Sequence, residues 1–254
     1  MNQVQRVAHR GGAQLAPENT LAAFRNALTL PVDAIELDVQ LSRDGQLVVF
    51  HDNTLDRLTN GTGNILDVDF ADLRSLNAAA SFPGGWPQPE QIPTLAEVLA
   101  LVKGRLRVYI EIKLSKRDGV YGRYPKIAEA VVREVWAAKM LSQVLFISFD
   151  WPVLTELRSI ESDLQVGALV SHDLWTPKNE QSVRELCDEV LSRGCQWVSL
   201  DQRLFADPMV NLIHQRGLKL ALWTVNKAAD LERLARAGVD SLTTDRPDLF
   251  SYLS

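Results

Sequence analysis

"IELDVQLSRDGQLVVFHD", Ile35 to Asp52, reads as a strand, a turn and a returning strand. Asp44-Gly45 between alternating runs is a strong hairpin signal, because a two-residue loop needs positive φ at both central positions. A loop of those two residues sets Val39 opposite Phe50 and Asp38 opposite His51. Glu36 lies two residues before Asp38, and the strand period of two puts both acids on one face. The hairpin is therefore expected to gather Glu36, Asp38 and His51 into one patch. A solvated hairpin face would carry the same charges without cost, so the patch needs support from the rest of the chain.

On both sides of the hairpin, short apolar runs alternate with amphipathic segments. "QRVAH" precedes a helical "NTLAAFRNALTL"; "TLAEVLALV", with Thr94 and Glu97 as a capping box, precedes the strand "LRVYIEIK". The helix "YPKIAEAVVREVWAAK" follows, then four strand-helix units beginning at "VLFISF", "LQVGALV", "CQWVSL" and "LKLALWTV". "VDSLTT" with the final "RPDLFSYL" makes the eighth unit. Eight β-then-α units in 254 residues predict a (β/α)8 TIM barrel of the α/β class, one domain over residues 1–254. An open doubly wound sheet is less well supported, since no GxGxxG follows an early strand. Residues 53–92 break the rhythm with Gly, Pro and Asn clusters. They read as a cap inserted after the second-strand hairpin, over the His51 end of the barrel.

Composition narrows the class. Hydrophobic content of 46% and charged content of 23% are ordinary for a soluble globular chain. A net charge of -5 argues against a nucleic-acid surface. "MNQVQRVAHRGG" offers no apolar run for a signal peptide, which leads to the expectation of a cytoplasmic protein without stable membrane association. Cys187 and Cys195 lack a CxxC pattern and read as reduced, structural thiols.

Active sites of such barrels lie at the carboxyl ends of the strands. There the sequence places His9 and Arg10 after strand one, Glu36 and Asp38 in strand two, and His51 on the return strand. Strand three adds Glu111 and Lys113, and strand seven Trp223. Taken singly, each has a bland use: a half-buried histidine, a snorkelling lysine, a core tryptophan. Asp245, after strand eight, reads as an N-cap for the last helix. Together they put three acids, two histidines and two cations on one rim, and buried charges are costly unless paired or bound to an ion. Three carboxylates without cysteine suit one hard divalent cation, Mg2+ or Ca2+. Arg10 offers a fork for phosphate and Lys113 a point charge, while two histidines suit general acid and base work. This is the equipment of metal-assisted phosphodiester cleavage.

"AHRGG", "PENT", "IELDVQLSRDGQLVVFHD", "IEIK", "WTVN" and "TTDRPD" together resemble the glycerophosphodiester phosphodiesterase family, its cytoplasmic bacterial type, over nearly the whole chain. The resemblance implies a barrel with a small insertion, a divalent metal on Glu36, Asp38 and Glu111, acid-base histidines at His9 and His51, and phosphate contacts from Arg10 and Lys113. It also implies cleavage of a small-molecule glycerophosphodiester to sn-glycerol 3-phosphate and an alcohol. Tethering of the glycerol 2-hydroxyl next to the phosphodiester, with no evident serine or cysteine nucleophile, suggests a cyclic 1,2-phosphate intermediate. In "PENT", Asn19 or Thr20 is expected to start the first helix, with Glu18 beside Arg10 or His9. Competing readings are a lysophospholipase D or phospholipase C-like enzyme on lipid substrates, and a catalytically silent phosphodiester-binding module. Trp86 and Trp175 are too sparse for a membrane-binding rim. The preferred alcohol stays open, as does a homo-oligomer.

Overall fold

The computed structural model describes residues 4–253. Eight parallel strands carry the architecture: β1 (Gln5–Ala8), β2 (Ala34–Leu41), β4 (Arg107–Ile112), β7 (Val144–Ser148), β8 (Gln165–Val170), β9 (Trp197–Asp201), β10 (Lys219–Trp223) and β11 (Ser241–Thr244). They follow one another around the sheet in that order. Pairing of β1 with β11, Gln5 to Ser241 through Ala8 to Thr244, closes the barrel. Helices α1 (Leu21–Ala27), α3 (Leu95–Val102), α4 (Ile127–Ala137), α5 (Trp151–Ile160), α6 (Glu180–Ser192), α7 (Pro208–Gln215) and α8 (Ala228–Arg236) lie between them. The expected alternation is thus present. The last helix is a 3-10 segment, Pro247–Tyr252, instead of an α-helix. The first is shorter than its apolar spacing suggested, running only from Leu21 to Ala27 after the Thr20 cap.

Strand alternation divides the apolar residues between two layers. Val7, Ala34, Tyr109, Leu145, Ile147, Leu169, Trp197 and Ala221 fill the barrel interior. Their neighbours along each strand, such as Ile35, Leu37, Val108 and Ile110, face outward into the larger core shared with the helices. Helix α3 has the expected capping box: Thr94 Oγ1 accepts from Glu97 N at 3.2 Å, and Glu97 Oε2 accepts from Thr94 N at 2.8 Å. Cys187 and Cys195 are both buried and unbridged, and burial pushes the Cys195 thiol up to about 12.

The hairpin corrects its expected register. β3 (Leu47–Val49) pairs antiparallel with β2 as Val39–Val49, Gln40–Val48 and Leu41–Leu47, one residue away from the two-residue-loop alignment. Ser42 N donates to Gln46 O, and Gly45 N to Ser42 O, leaving Arg43, Asp44 and Gly45 as the loop. Gly45, at φ 81, is the single left-handed residue of the loop, where the expected turn needed two. Such three-residue loops combine an ordinary turn with a glycine bulge. Arg43 is meanwhile drawn aside by Asp69, at 2.8 and 2.5 Å. Asp38 therefore lies opposite Phe50, whose N–H it accepts through its carbonyl at 3.0 Å, and not opposite His51.

Residues 53–92 hold a 3-10 turn at Ile65–Asp67 and the helix α2 (Phe70–Ser75). Leu55, Ile65, Leu73, Ala78 and Ile92 make a small core of their own against Val48 and Phe50. After β4 the chain makes a short ribbon, β5 (Ser115–Arg117) with β6 (Val120–Gly122), which the sequence reading did not anticipate. Its residues carry no apolar alternation to signal it.

At the opposite end of the barrel, Asp33 accepts from Arg6 through its backbone N–H and its guanidinium, each at 2.9 Å. Burial opposes ionisation of Asp33, but the Arg6 hydrogen bonds outweigh it and hold the carboxyl below its usual range. Its stabilising contribution is complete above the unfolded value of about 3.9 and disappears as pH falls through the lower folded value. Between pH 5 and pH 2.5, the wild-type melting temperature should fall more steeply than that of Asp33→Asn. Parallel melting curves would remove this link.

Candidate active site

Register builds the site. β2 runs beside β4 with Glu36 against Tyr109 and Asp38 against Glu111, so Glu36, Asp38 and Glu111 share the inner face near the carboxyl end. All three are buried, and one carboxylate oxygen from each lies within 4.8 Å of the other two. Burial, then the charges of Asp38 and Glu111, raise Glu36 well above an ordinary carboxyl. Asp38 Oδ1 is buried without a hydrogen-bond partner. A set of oxygen donors that repel one another, with an orphaned carboxylate oxygen among them, fits a hard divalent cation.

β1 enters beside β2 with Ala8 against Ile35, which brings the next residue, His9, to Glu36. His9 Nε2 lies 3.9 Å from Glu36 Oε2, and Nδ1 lies 2.6 Å from Asp245 Oδ1. The expected N-cap role of Asp245 is overturned, because the final 3-10 turn has no side-chain cap. Instead, barrel closure sets the end of β11 beside the end of β1. Asn226 steadies this acid: Nδ2 donates to Asp245 Oδ2 at 2.7 Å, and Oδ1 accepts from Asp245 N at 2.9 Å. Burial pushes Asp245 up, but the His9 hydrogen bond and charge hold it below the usual carboxylate range.

Arg10 sits at φ 51, a left-handed conformation inside the His9–Gly11 turn. Its backbone N donates to Glu36 Oε2 at 3.0 Å, and Nη1 donates to Glu18 Oε1 at 2.7 Å. Gly11, at φ 81, has no room for a side chain, since a Cβ would lie 2.8 Å from that of Ala23. "PENT" divides its duties. Thr20 caps α1, as expected, while Glu18 holds Arg10 and does not reach His9. Asn19 Nδ2 donates to Asp38 Oδ2 at 2.8 Å, a contact the sequence reading missed.

Lys113 Nζ lies 2.7 Å from Glu111 Oε1 and 3.4 Å from Asp38 Oδ1. His51 Nδ1 lies 2.6 Å from Asp52 Oδ1. His51 reaches the site although the ladder ends before it. Gln40 Nε2 donates to both Phe50 O and Asp52 O at 2.8 Å, and turns the chain over the mouth. Each histidine thus has an acid at Nδ1, which fixes Nε2 as the ring nitrogen offered to a ligand. The signal for Asp52 was its adjacency to His51; for Asp245, it was the neighbour relation of strands one and eight in any closed barrel.

These groups line one cavity of about 240 Å³, with Trp223, Phe149 and Tyr109 as its apolar walls. Trp223 Nε1 donates to Ser199 O at 3.1 Å, and its ring meets Phe149 edge-on at 5.7 Å. His9, Arg10, Glu36, His51, Glu111, Lys113 and Trp223 all face this space, while Asp38 lies buried behind it. The other two histidines lie elsewhere: His172 beside Asp201 and Arg203, His214 against Asp240.

The fold and this mouth define a barrel enzyme acting on an anionic ester. The chain belongs to the glycerophosphoryl diester phosphodiesterase family, whose pattern matches residues 9–249. A glycerophosphodiester phosphodiesterase of Caldanaerobacter subterraneus subsp. tengcongensis is 36% identical to it, over 95% of this chain and 94% of that one. A Bacillus subtilis protein of the same name is 31% identical, over 96% and 84%. Among solved structures, an Oleispira antarctica phosphodiesterase in complex with its product sn-glycerol-3-phosphate superposes with a TM-score of 0.78 at 29% identity, covering 98% of this chain and 96% of that one. The glycerophosphodiester phosphodiesterase of Agrobacterium tumefaciens gives 0.79 at 29%, covering 98% and 99%. Among the described residues, no helix is long and apolar enough to cross a membrane.

Proposed function

We propose that the chain hydrolyses small glycerophosphodiesters to sn-glycerol 3-phosphate and an alcohol, with His9 and His51 as the acid-base pair. One observation carries this: two histidines, each braced at Nδ1 by a carboxylate, face a cavity lined by buried acids. Glu36, Asp38 and Glu111 would hold one divalent cation, Mg2+ or Ca2+. Bound there, it would supply positive charge for the phosphate and for the negative charge that develops during transfer.

Arg10 and Lys113 present their cations to the phosphate, and Trp223 packs against the glycerol. One histidine takes the proton of the glycerol 2-hydroxyl at Nε2 as that oxygen attacks phosphorus. The other protonates the departing alcohol oxygen. A cyclic 1,2-phosphate results. Water then opens the ring with the two histidines in exchanged roles, so that one water is consumed and both protons are returned. The tethered hydroxyl replaces much of the entropic cost of positioning water.

A coupled assay for sn-glycerol 3-phosphate over a panel of headgroups tests the reaction. A diester carrying 1,3-propanediol in place of glycerol tests the cyclic step, with release of the alcohol as readout. Its turnover should fall by about 10² or more, the scale of a lost intramolecular nucleophile. Turnover near the normal rate would mean direct attack by water. Release of headgroup only from acylated substrates would favour the lysophospholipase D reading, and binding without turnover the silent module.

A further inference from the structure

Beside the cavity lies a charged cluster centred on Arg57, in the turn that follows His51. Arg57 Nε donates to Asp52 Oδ2 at 2.6 Å and Nη2 to Asp52 Oδ1 at 2.8 Å. The same guanidinium reaches Glu18, Nη2 to Oε1 at 3.0 Å and Nη1 to Oε2 at 3.3 Å. Asp52 is the acid on His51, and Glu18 the acid on Arg10. An unbroken run of hydrogen bonds thus joins His51 to Arg10 through Asp52, Arg57 and Glu18.

We propose that Arg57 is a positioning residue, which fixes His51 and Arg10 relative to one another through the carboxylates of Asp52 and Glu18. The inference rests on the roles given to His51 and Arg10 under the proposed function. Arg57 is half exposed while Glu18 and Asp52 are mostly buried, so a melting curve beside the kinetics separates a contribution to stability from one to positioning. The backbone at His51 also has its own support. Gln40 holds Phe50 O and Asp52 O, and Tyr124 Oη donates to Gln40 Oε1 at 2.6 Å. Loss of Arg57 therefore leaves the loop in place and releases the Asp52 carboxylate, and with it the orientation of the imidazole. Burial pushes both Asp52 and Glu18 up, and the Arg57 hydrogen bond is the leading influence that holds each below its ordinary range. A single guanidinium fork meets both carboxylates; an ammonium, as a point charge, does not reproduce that geometry.

The two arms of the cluster separate kinetically. Through Asp52, Arg57 acts on the proton-transferring histidine and hence on kcat. Through Glu18, it acts on the arginine that faces the phosphate and hence on KM. The test is steady-state kinetics of R57M, D52N and the double variant on one glycerophosphodiester, with H51A alongside and a melting curve for each protein. R57M should lower kcat about tenfold or more and raise KM, with the protein still folded. In the D52N background, R57M should change kcat by less than about twofold while still raising KM. If R57M does not fold, R57K carries the same expectation. Wild-type kcat in the folded Arg57 variant, or kcat losses of D52N and R57M that multiply, would overturn the proposal. An H51A enzyme at the wild-type rate would overturn the underlying role of His51 instead.

Discussion

Dialysis against a chelator should abolish turnover, and Mg2+ or Ca2+ should restore it. Glu36, Asp38 and Glu111 converge in a buried space, where unneutralised carboxylates are unfavourable and Glu36 is consequently pushed up. Lys113 and Arg10 offset part of that charge, yet Asp38 Oδ1 stays without a hydrogen bond. A cation that binds the folded chain alone must also stabilise it, by about 2.7 kcal/mol at a hundredfold excess over Kd, and so raise its melting temperature. That readout is independent of activity. Glu111→Gln should lose both the melting shift and the rescue. Full turnover in rigorously metal-free protein would end the metal reading while leaving the histidines untouched.

Replacement of His9 or His51 by alanine should each lower kcat by about 10²–10⁴, the usual share of a general acid or base. The double variant should be little worse than either single one, because the two groups act as one unit, base and acid, in each step. His172→Ala and His214→Ala should keep the wild-type rate, since neither lines the cavity. His51→Ala with more than half of the wild-type rate would refute the assignment. Asp245→Asn, which removes the charge of the His9 partner at 2.6 Å, should lower kcat by less than His9→Ala in the same assay.

Much of this arrangement was legible in the chain itself. Glu36 and Asp38 fall on one strand face because side chains alternate with a period of two, and this holds wherever the strand goes. Eight apolar runs alternating with helical ones dictated a parallel sheet covered by helices, whose carboxyl ends carry the chemistry. The chosen hairpin loop was wrong by one residue, since Asp-Gly also suits a glycine-bulged three-residue loop, and the chain alone did not choose between them. That slip would have turned His51 away from the acids, had the ladder extended to it; Gln40 ends the ladder and redirects the chain.

Which carboxylates meet the histidines and cations follows from packing between distant segments. His9 and Asp245 stand 236 positions apart, and meet because closure makes the first and last strands neighbours. Glu18 and Arg57 stand 39 apart, and meet because residues 53–92 pack around a small core of their own against Val48 and Phe50. Local periodicity is set by backbone geometry within one segment, so the strand faces, the barrel and the family could be read from the chain alone. Contacts between distant loops depend on strand order, register and closure, which arise only when every segment packs against the others.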